Sequence, residues 1–483
     1  MSEIDLSRRS FAKLGVGAAA VTALPGILKA QQAPAKAAGA YYRANETVRV
    51  ACVGYSDRFR GSLLPSFMNH QKELNFEMVA VADLWKKRLM ENAKPEMEKK
   101  LGHALATYSS DVALYENAKD IDAVIISTAD FQHAQHAAHA VNAGKDAYCE
   151  KPLAEDMYSA NMLKDAVEAK RAGGQMLPGS ILQIGSQRRS GRKYHAAKAF
   201  INSGAFGDVS YVDLRWNVNQ PKRWRRPEAL IASLKKEDID WNMWLLDRDP
   251  AAYAFDPRKY LEFRLFWPFS SGTPGQWMCH QIDTVAWFMD CPYPKSAMSS
   301  GGLYQWVDGR MSYDTFTTVL EYGESGVKGK GFQCVFQSHQ HNAGGGSKLN
   351  GEGPVEKYFG PNGCVDMGKG KVTNEGVERA KWEEKDLPAP EEKVVTSANT
   401  GADPLTSAHM RNWMECVRAR KNPNAPIEAG YSHAIALIMA NASARTGCKA
   451  TFCPEKRQVM VNGRPFIGYE STATGGFWSR LFG

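Results

Sequence analysis

The run Gly54-Tyr55-Ser56-Asp57-Arg58-Phe59-Arg60-Gly61 stands between an apolar strand-like stretch and a helix-like one, a setting that can cradle a dinucleotide phosphate. A fingerprint of that type has three glycines. Here Gly54 alone is kept, and Ser56 and Phe59 take the other two positions. Ser56, Arg58 and Arg60 offer hydrogen-bond donors that could replace bare glycine backbone at a phosphate. Asp83 closes the next apolar run, where a carboxylate accepts from the hydroxyls of an adenosine ribose. Its charge opposes a 2′-phosphate, which favours NAD; Lys86, Lys87 and Arg88 leave NADP possible. Asp83 reads equally as a helix N-cap.

Further residues could meet a sugar. Gln187 and Arg189 follow a strand-like run and could bind hydroxyls or be ordinary surface groups. Trp224, Trp241 and Trp244 could pack on a sugar face or fill a core. His339 and His341 share one face of a strand, but no third ligand accompanies them, so no metal site is expected. His133, His136 and His139 read as one side of a helix, with His133 nearest the cofactor end.

These residues need a frame. From Thr47 onward, apolar runs alternate with helical patterns: Val48–Val53, a helix over 61–69, Met78–Ala82, a charged helix over 86–100, then runs at 123–127 and Asp146–Cys149 with a helix over 133–143 between them. Strands spaced by helices predict a doubly covered parallel sheet, an α/β Rossmann domain over 47–178. Beyond it, strand-like runs at 209–216, 296–304, 315–322 and 331–337 come with long connections. They predict an α+β domain over 179–460 with a large, open, mostly antiparallel sheet, followed by a tail over 461–483. Residues 218–275, rich in Trp, Pro and Arg, look like an irregular cover, and helices are expected over 408–418 and 430–444.

Composition narrows the class. The 483 residues carry a formal charge of +8, but Lys and Arg are scattered among acidic neighbours, with no basic stripe of the kind nucleic-acid binding needs. The nine cysteines are widely spaced. Cys52 and Cys149 read as buried thiols, and Cys448 with Cys453 is the nearest candidate disulfide. Ser7-Arg8-Arg9-Ser10-Phe11-Ala12-Lys13, followed by the apolar stretch 14–28, reads as a removable leader over 1–32, with a linker over 33–46. The paired arginines point to the twin-arginine export machinery and a periplasmic location. The apolar stretch is too short for a stable membrane anchor.

At Cys149-Glu150-Lys151-Pro152-Leu153-Ala154, preceded by Ser127-Thr128-Ala129-Asp130-Phe131-Gln132-His133, the chain resembles the Gfo/Idh/MocA family of sugar and inositol oxidoreductases. Gly185-Ser186-Gln187-Arg188-Arg189-Ser190, Asp240-Trp241-Asn242-Met243-Trp244-Leu245, His280-Gln281-Ile282-Asp283 and Glu428-Ala429-Gly430-Tyr431 extend the likeness over nearly the whole mature chain. The resemblance implies bound NAD(P) contacted by Gly54, Ser56, Asp57, Arg58, Asp83, Thr128, His133, Glu150 and Lys151. It also implies an open second sheet beneath the nicotinamide and a homo-oligomer. Lys151 would contact nicotinamide and substrate hydroxyl, since hydride loss from an alcohol needs a cation to stabilise the developing alkoxide. His280 matches the family's histidine and would act as general base. Where the family usually has aspartate, this chain has Gln276, which can hold a hydroxyl but cannot take its proton. Gln276, His280 and Asp283 are expected on one helical face, so all three could reach one site.

Compartment then bears on chemistry. No NAD pool is replenished outside the cytoplasmic membrane, so an exported enzyme must keep its cofactor and regenerate it in place. The expectation is a redox-neutral sugar–sugar oxidoreductase acting on a small carbohydrate. The alternatives are an NAD-dependent glycoside hydrolase using transient C3 oxidation, a non-catalytic sugar-binding protein, or a cytoplasmic dehydrogenase.

Overall fold

The computed structural model describes residues 45–172, 175–176, 181–205, 207–344, 354–375, 383–389 and 402–469. The leader, most of the linker and the aromatic end of the tail lie outside these residues.

The first sheet has six parallel strands in the spatial order Ala106–Tyr108, Phe76–Ala82, Val48–Val53, Ala123–Ile126, Asp146–Cys149 and Leu182–Ile184. Its central strands are buried on both faces, as continuous apolar runs require. Ala51, Val53 and Ile126 face helices His133–Asn142 and Met157–Ala169, while Val50, Cys52 and Ile125 face the helix that follows Gly54. Helix Pro404–Ala419 returns from far along the chain to complete that second layer. Its fully buried Trp413 packs on Phe76 and Tyr148. The parallel sheet thus takes in residues beyond 178.

The second sheet has eleven strands. Its core order is Val355–Gly360, Tyr211–Arg215, Gly331–His339, Thr315–Gly323, Ser296–Gly302 and Ala450–Cys453. Among the described residues every pairing in it is antiparallel except that of Tyr211–Arg215 with Gly331–His339. Alternating burial along Thr315–Gly323 and Gly331–His339 leaves one face for helices Cys279–Phe288 and Ile427–Thr446.

Residues 218–275, expected to be irregular, carry short helices at Glu228–Ser233, Trp241–Leu245 and Pro257–Leu261 and are firmly seated. Trp241, Trp244, Leu245, Leu265, Phe266 and Phe269 bury against Ala129 and Phe131 of the first domain. Arg248 is fully buried, with its guanidinium 4.2 Å from the ring centres of both Phe131 and Tyr469 and ion-paired to Asp156 and Asp247. Trp241 and Trp244 are therefore core residues that hold the cover down. All nine cysteines are free, Cys448 and Cys453 among them.

Candidate active site

Two loops from the first domain and one helix from the second meet at the site. Gly54 ends the first strand at φ +86°, and a Cβ there would lie 2.7 Å from Thr128 and 2.9 Å from the Ser127 carbonyl. Only glycine suits that crossing. Ser56 Oγ accepts from the Phe59 N–H at 3.2 Å and bonds Ser127 Oγ at 2.6 Å, so it caps the next helix and ties the two loops. Phe59, in place of the third glycine, turns fully into the core, and the helix opens a π-turn over Phe59–Leu63 there. The remaining turn residues are tied to the rest of the fold. Asp57 pairs with Arg226 of the cover at 2.6 Å, and Arg58 Nε donates to Glu150 at 2.9 Å. Arg58 therefore bridges the phosphate turn to the Glu-Lys-Pro loop instead of standing free.

Asp83 is buried, and its two oxygens accept the N–H groups of Tyr55 and Trp85, each at 2.9 Å. A carboxylate has further acceptor positions, and Asp83 lines a cleft of about 460 Å³ together with Gly54, Ser56, Arg58, Thr128, Gln132 and Tyr260. The cleft runs from a helix N-terminus past this carboxylate, an arrangement that fits a dinucleotide. The cover roofs it with Arg226, Met243, Trp244, Tyr260, Leu261, Phe263 and Arg264. Tyr260 packs edge-on to Trp85 and lies close enough to Asp83 for that charge, after burial, to raise its phenol well above the usual range.

The Glu-Lys-Pro loop is held from several sides. Burial favours protonation of Glu150, but Arg58 and Lys151 outweigh it and keep this carboxyl below its ordinary range. His133 Nδ1 donates to the Pro152 carbonyl at 2.8 Å, and the Leu153 N–H donates to His433 Nε2 at 3.0 Å. Lys151 Nζ donates to the Gln276 carbonyl at 3.0 Å, which leaves two of its three N–H donors for a ligand. His133 thus supports the loop from behind, Glu150 anchors it, and Thr128 Oγ1 bonds His136 at the edge of the cleft.

Gln276, His280 and Asp283 do not share the expected common face. A π-turn over Pro274–Met278 changes the helical phase ahead of helix Cys279–Phe288. Gln276 Nε2 donates to the fully buried Asp130 at 2.5 Å, and Asp130 also accepts from Ser270 at 2.7 Å and Arg264 at 3.1 Å. Asp283 is buried, and both its oxygens accept from Arg189 Nε, at 2.9 and 3.0 Å. Arg189 and Asp283 therefore hold each other, and Gln187 stands beside them in the same turn. His280 is half-buried, and no side-chain hydrogen-bond partner holds its ring among the described residues. Its ring lies 5.6 Å from that of Trp216, which is covered in turn by the Arg188 guanidinium. Arg188 pairs with Glu356 and also reaches the His280 carbonyl at 3.4 Å. Burial first, then the cations Lys151 and Arg188, hold the His280 imidazole well below its usual pKa. It is neutral at ordinary pH, and its protonated form is disfavoured.

Sequence reasoning passed over Asp130, Arg188, Trp216 and Tyr260. Asp130 and Arg188 stand inside segments the resemblance had already marked. Their partners, Gln276 and Glu356, lie more than a hundred residues away, and no local pattern joins them. Glu155, which burial and then Asp130 push up, completes a carboxyl pair under the Lys151 loop. His339 and His341 stack at 5.2 Å, and among the described residues no group of three His, Cys, Asp or Glu could hold a metal.

Known proteins agree with this architecture. The Gfo/Idh/MocA profile, an oxidoreductase family with an NAD-binding Rossmann fold, matches residues 48–177. Inositol 2-dehydrogenase of Salmonella typhimurium is 35% identical over 134 residues, covering 28% of this chain and 38% of that protein. The chain thus aligns with less than half the length of such relatives. Among solved structures, aldose–aldose oxidoreductase from Caulobacter crescentus, complexed with glycerol, superposes with a TM-score of 0.55 at 16% identity, covering 84% of this chain and 100% of that one. Myo-inositol 2-dehydrogenase from Lactobacillus plantarum gives 0.56 at 18% identity, covering 84% and 99%. With its glycine turn, the Asp83 carboxylate lining the cleft and the Glu-Lys-Pro loop, the segment 48–177 matches the NAD-binding Rossmann fold of the Gfo/Idh/MocA oxidoreductase family, and the second domain shares the fold of the structural neighbours.

Proposed function

We propose that this protein oxidises and re-reduces hydroxyl groups of a carbohydrate with an NAD(H) that stays bound, in a net redox-neutral cycle. The observation that carries the reading is the cover over the cofactor cleft, held by the buried Arg248 and the aromatic cluster around Phe131. A dehydrogenase that trades NAD for NADH at each turnover needs an easy exit; here part of the cleft is covered by residues seated in a core.

Bound nicotinamide supplies the acceptor and donor of the hydride. The chain's own groups manage the proton. Lys151 Nζ donates to the substrate hydroxyl oxygen and stabilises the alkoxide as it develops. Neutral His280 takes the hydroxyl proton. An imidazolium beside Lys151 and Arg188 is unfavourable, so His280 returns the proton readily, which suits a reaction that runs both ways at one site. Gln187, Arg189, Gln276 and Asp283 shape the pocket: Gln276 by presenting its carbonyl to Lys151, Arg189 and Asp283 by fixing the helix that bears His280. We further propose export through the twin-arginine route, on the strength of Arg8-Arg9 and the apolar stretch behind them. Assembly into homo-oligomers through the open sheet is part of the same proposal.

The test is to purify the protein without added nucleotide, denature it and assay the supernatant for NAD(H), then supply sugars and aryl glycosides to the native protein. Retained nucleotide with sugar interconversion and no net NADH supports the proposal. Aryl-group release dependent on NAD would assign glycoside cleavage instead, and absence of nucleotide binding would leave only sugar binding.

A further inference from the structure

Arg223, a half-buried cation of the cover, has no ion-pair partner among the described residues. Its guanidinium lies 5.8 Å from the ring centres of both Trp224 and Trp277. Its Nε is sealed from solvent and has no hydrogen-bond partner among the described residues. Burial itself, and then the like charge of Arg264, hold the Arg223 guanidinium below its ordinary range. Arg264 gives one nitrogen to Asp130, while its own Nε is also buried and unpartnered.

Arg188, Arg189, Arg248 and Arg420, by contrast, are each matched by a carboxylate: Arg188 by Glu356, Arg189 by Asp283, Arg248 by Asp156 and Asp247, Arg420 by Asp146. Holding a cation half out of water, with one N–H sealed and unpartnered, is unfavourable. Trp224 adds strain beside it, with φ +66° on a bulky side chain. Such an arrangement is explained if the partner arrives with a ligand.

The position fits a substrate. Trp277 follows Gln276, whose carbonyl holds Lys151. The Trp277 ring stacks on Trp216 at 6.4 Å and 15°, and Trp216 meets His280 at 5.6 Å. Arg264 also lines the cofactor cleft. A ligand spanning these groups would place one end at Lys151 and His280 and the other at Arg223.

We propose that Arg223, with Arg264 behind it, binds an anionic group of the substrate, so that the sugar handled at Lys151 and His280 carries a carboxylate or a phosphate. This rests on the carbohydrate reading above and narrows it. The half-buried Trp224 ring, backed by the buried Trp277, flanks the sugar, and the guanidinium takes the charge in a geometry suited to either anion.

Tryptophan fluorescence of the full-length protein, with its retained nucleotide, reads binding directly, because two of the reporting rings flank the site. Uronates and aldose phosphates of gluco, galacto and manno configuration are titrated against their neutral sugars. At least one charged sugar should bind more than ~10-fold tighter than its neutral counterpart, and raised salt should weaken it. R223Q should lose about 10- to 100-fold on that ligand, and R223K should recover part of the loss. A preference for the uronate or for the phosphate assigns the anion. If no charged sugar is favoured, or if R223Q keeps the charged-to-neutral ratio, the proposal is overturned. Should R223Q not fold, a salt-independent charged-to-neutral ratio in the unaltered protein overturns it equally. Binding requires no hydride transfer, so tight uronate binding without redox chemistry would refute the functional reading alone. Turnover of neutral sugars with no charge preference would refute this inference alone.

Discussion

Replacing Gln276 by glutamate keeps the shape of the side chain and turns one donor into an acceptor. In the native protein the Gln276 amide donates to Asp130 Oδ2 at 2.5 Å, and Asp130 is fully buried. A second carboxylate at that distance would meet a repulsion of roughly 6–7 kcal/mol even with an effective dielectric constant of about 20. Taking up a proton is cheaper. A free glutamate titrates at about 4.3, and holding its proton costs ~1.4 kcal/mol for each pH step of one above that point. Protonation therefore costs ~3.7 kcal/mol near pH 7 and ~1 kcal/mol near pH 5. The protonated acid can then donate to Asp130 as the amide did. The sign follows from linkage: a carboxyl whose folded pKa is raised gives up stability as pH rises from its unfolded value. The Gln276→Glu variant should therefore be nearly as stable as the native protein at mildly acid pH and about 3–4 kcal/mol less stable near neutrality. Urea unfolding of both proteins at the two pH values measures the difference. A deficit that stays constant with pH, or no deficit at all, would refute the placement of Gln276 against the Asp130 carboxyl group.

Other consequences are equally direct. Lys151→Met should lose about 100- to 1000-fold in kcat with only a modest fall in Tm, because it removes an alkoxide donor together with one hydrogen bond to the Gln276 carbonyl and a cation beside Glu150; native-like turnover would remove Lys151 from the mechanism. Arg248→Met leaves Asp156 and Asp247 without their cation and should cost about 3–5 kcal/mol of stability while speeding nucleotide release, both measurable by denaturation and by the loss of retained NAD(H). Gly54→Ala forces a side chain into φ +86° and to 2.7 Å from Thr128, so nucleotide content on purification should fall sharply. Burial holds His136 down to about 4, against an ordinary value of 6.5, so the native protein loses its contribution as pH falls through that window. His136→Gln should accordingly lose ~2 kcal/mol less than the native protein on going from near pH 7 to near pH 5.

The parallel sheet was readable because its strands are buried on both sides and so appear as unbroken apolar runs, and Asp83 was readable because it ends one of them. Gly54 declared itself by being the one glycine the crossing with Ser127 and Thr128 requires. The π-turns were not readable. Phe59 leaves the helical phase because a deep pocket in the first core receives it, and Gln276 because Asp130 draws its amide, and neither cause is local. The same holds for Arg58, which looked like a phosphate ligand until Glu150 came within reach, and for Asp283, whose carboxylate is taken by Arg189. Trp241 and Trp244 show the converse: their ambiguity between sugar platform and core was settled by Phe131 across the domain boundary and by Phe269 within the cover.

A redox-neutral cycle is tested most sharply by following the retained nucleotide through one turn. Protein purified without added cofactor is mixed with an oxidisable sugar, and reduced-nicotinamide absorbance is followed before and after a second, reducible sugar is added. Absorbance should rise only to the amount of bound nucleotide and fall back when the second sugar arrives. Continuous accumulation of NADH with free NAD supplied, or a protein that carries no nucleotide, would contradict the cycle.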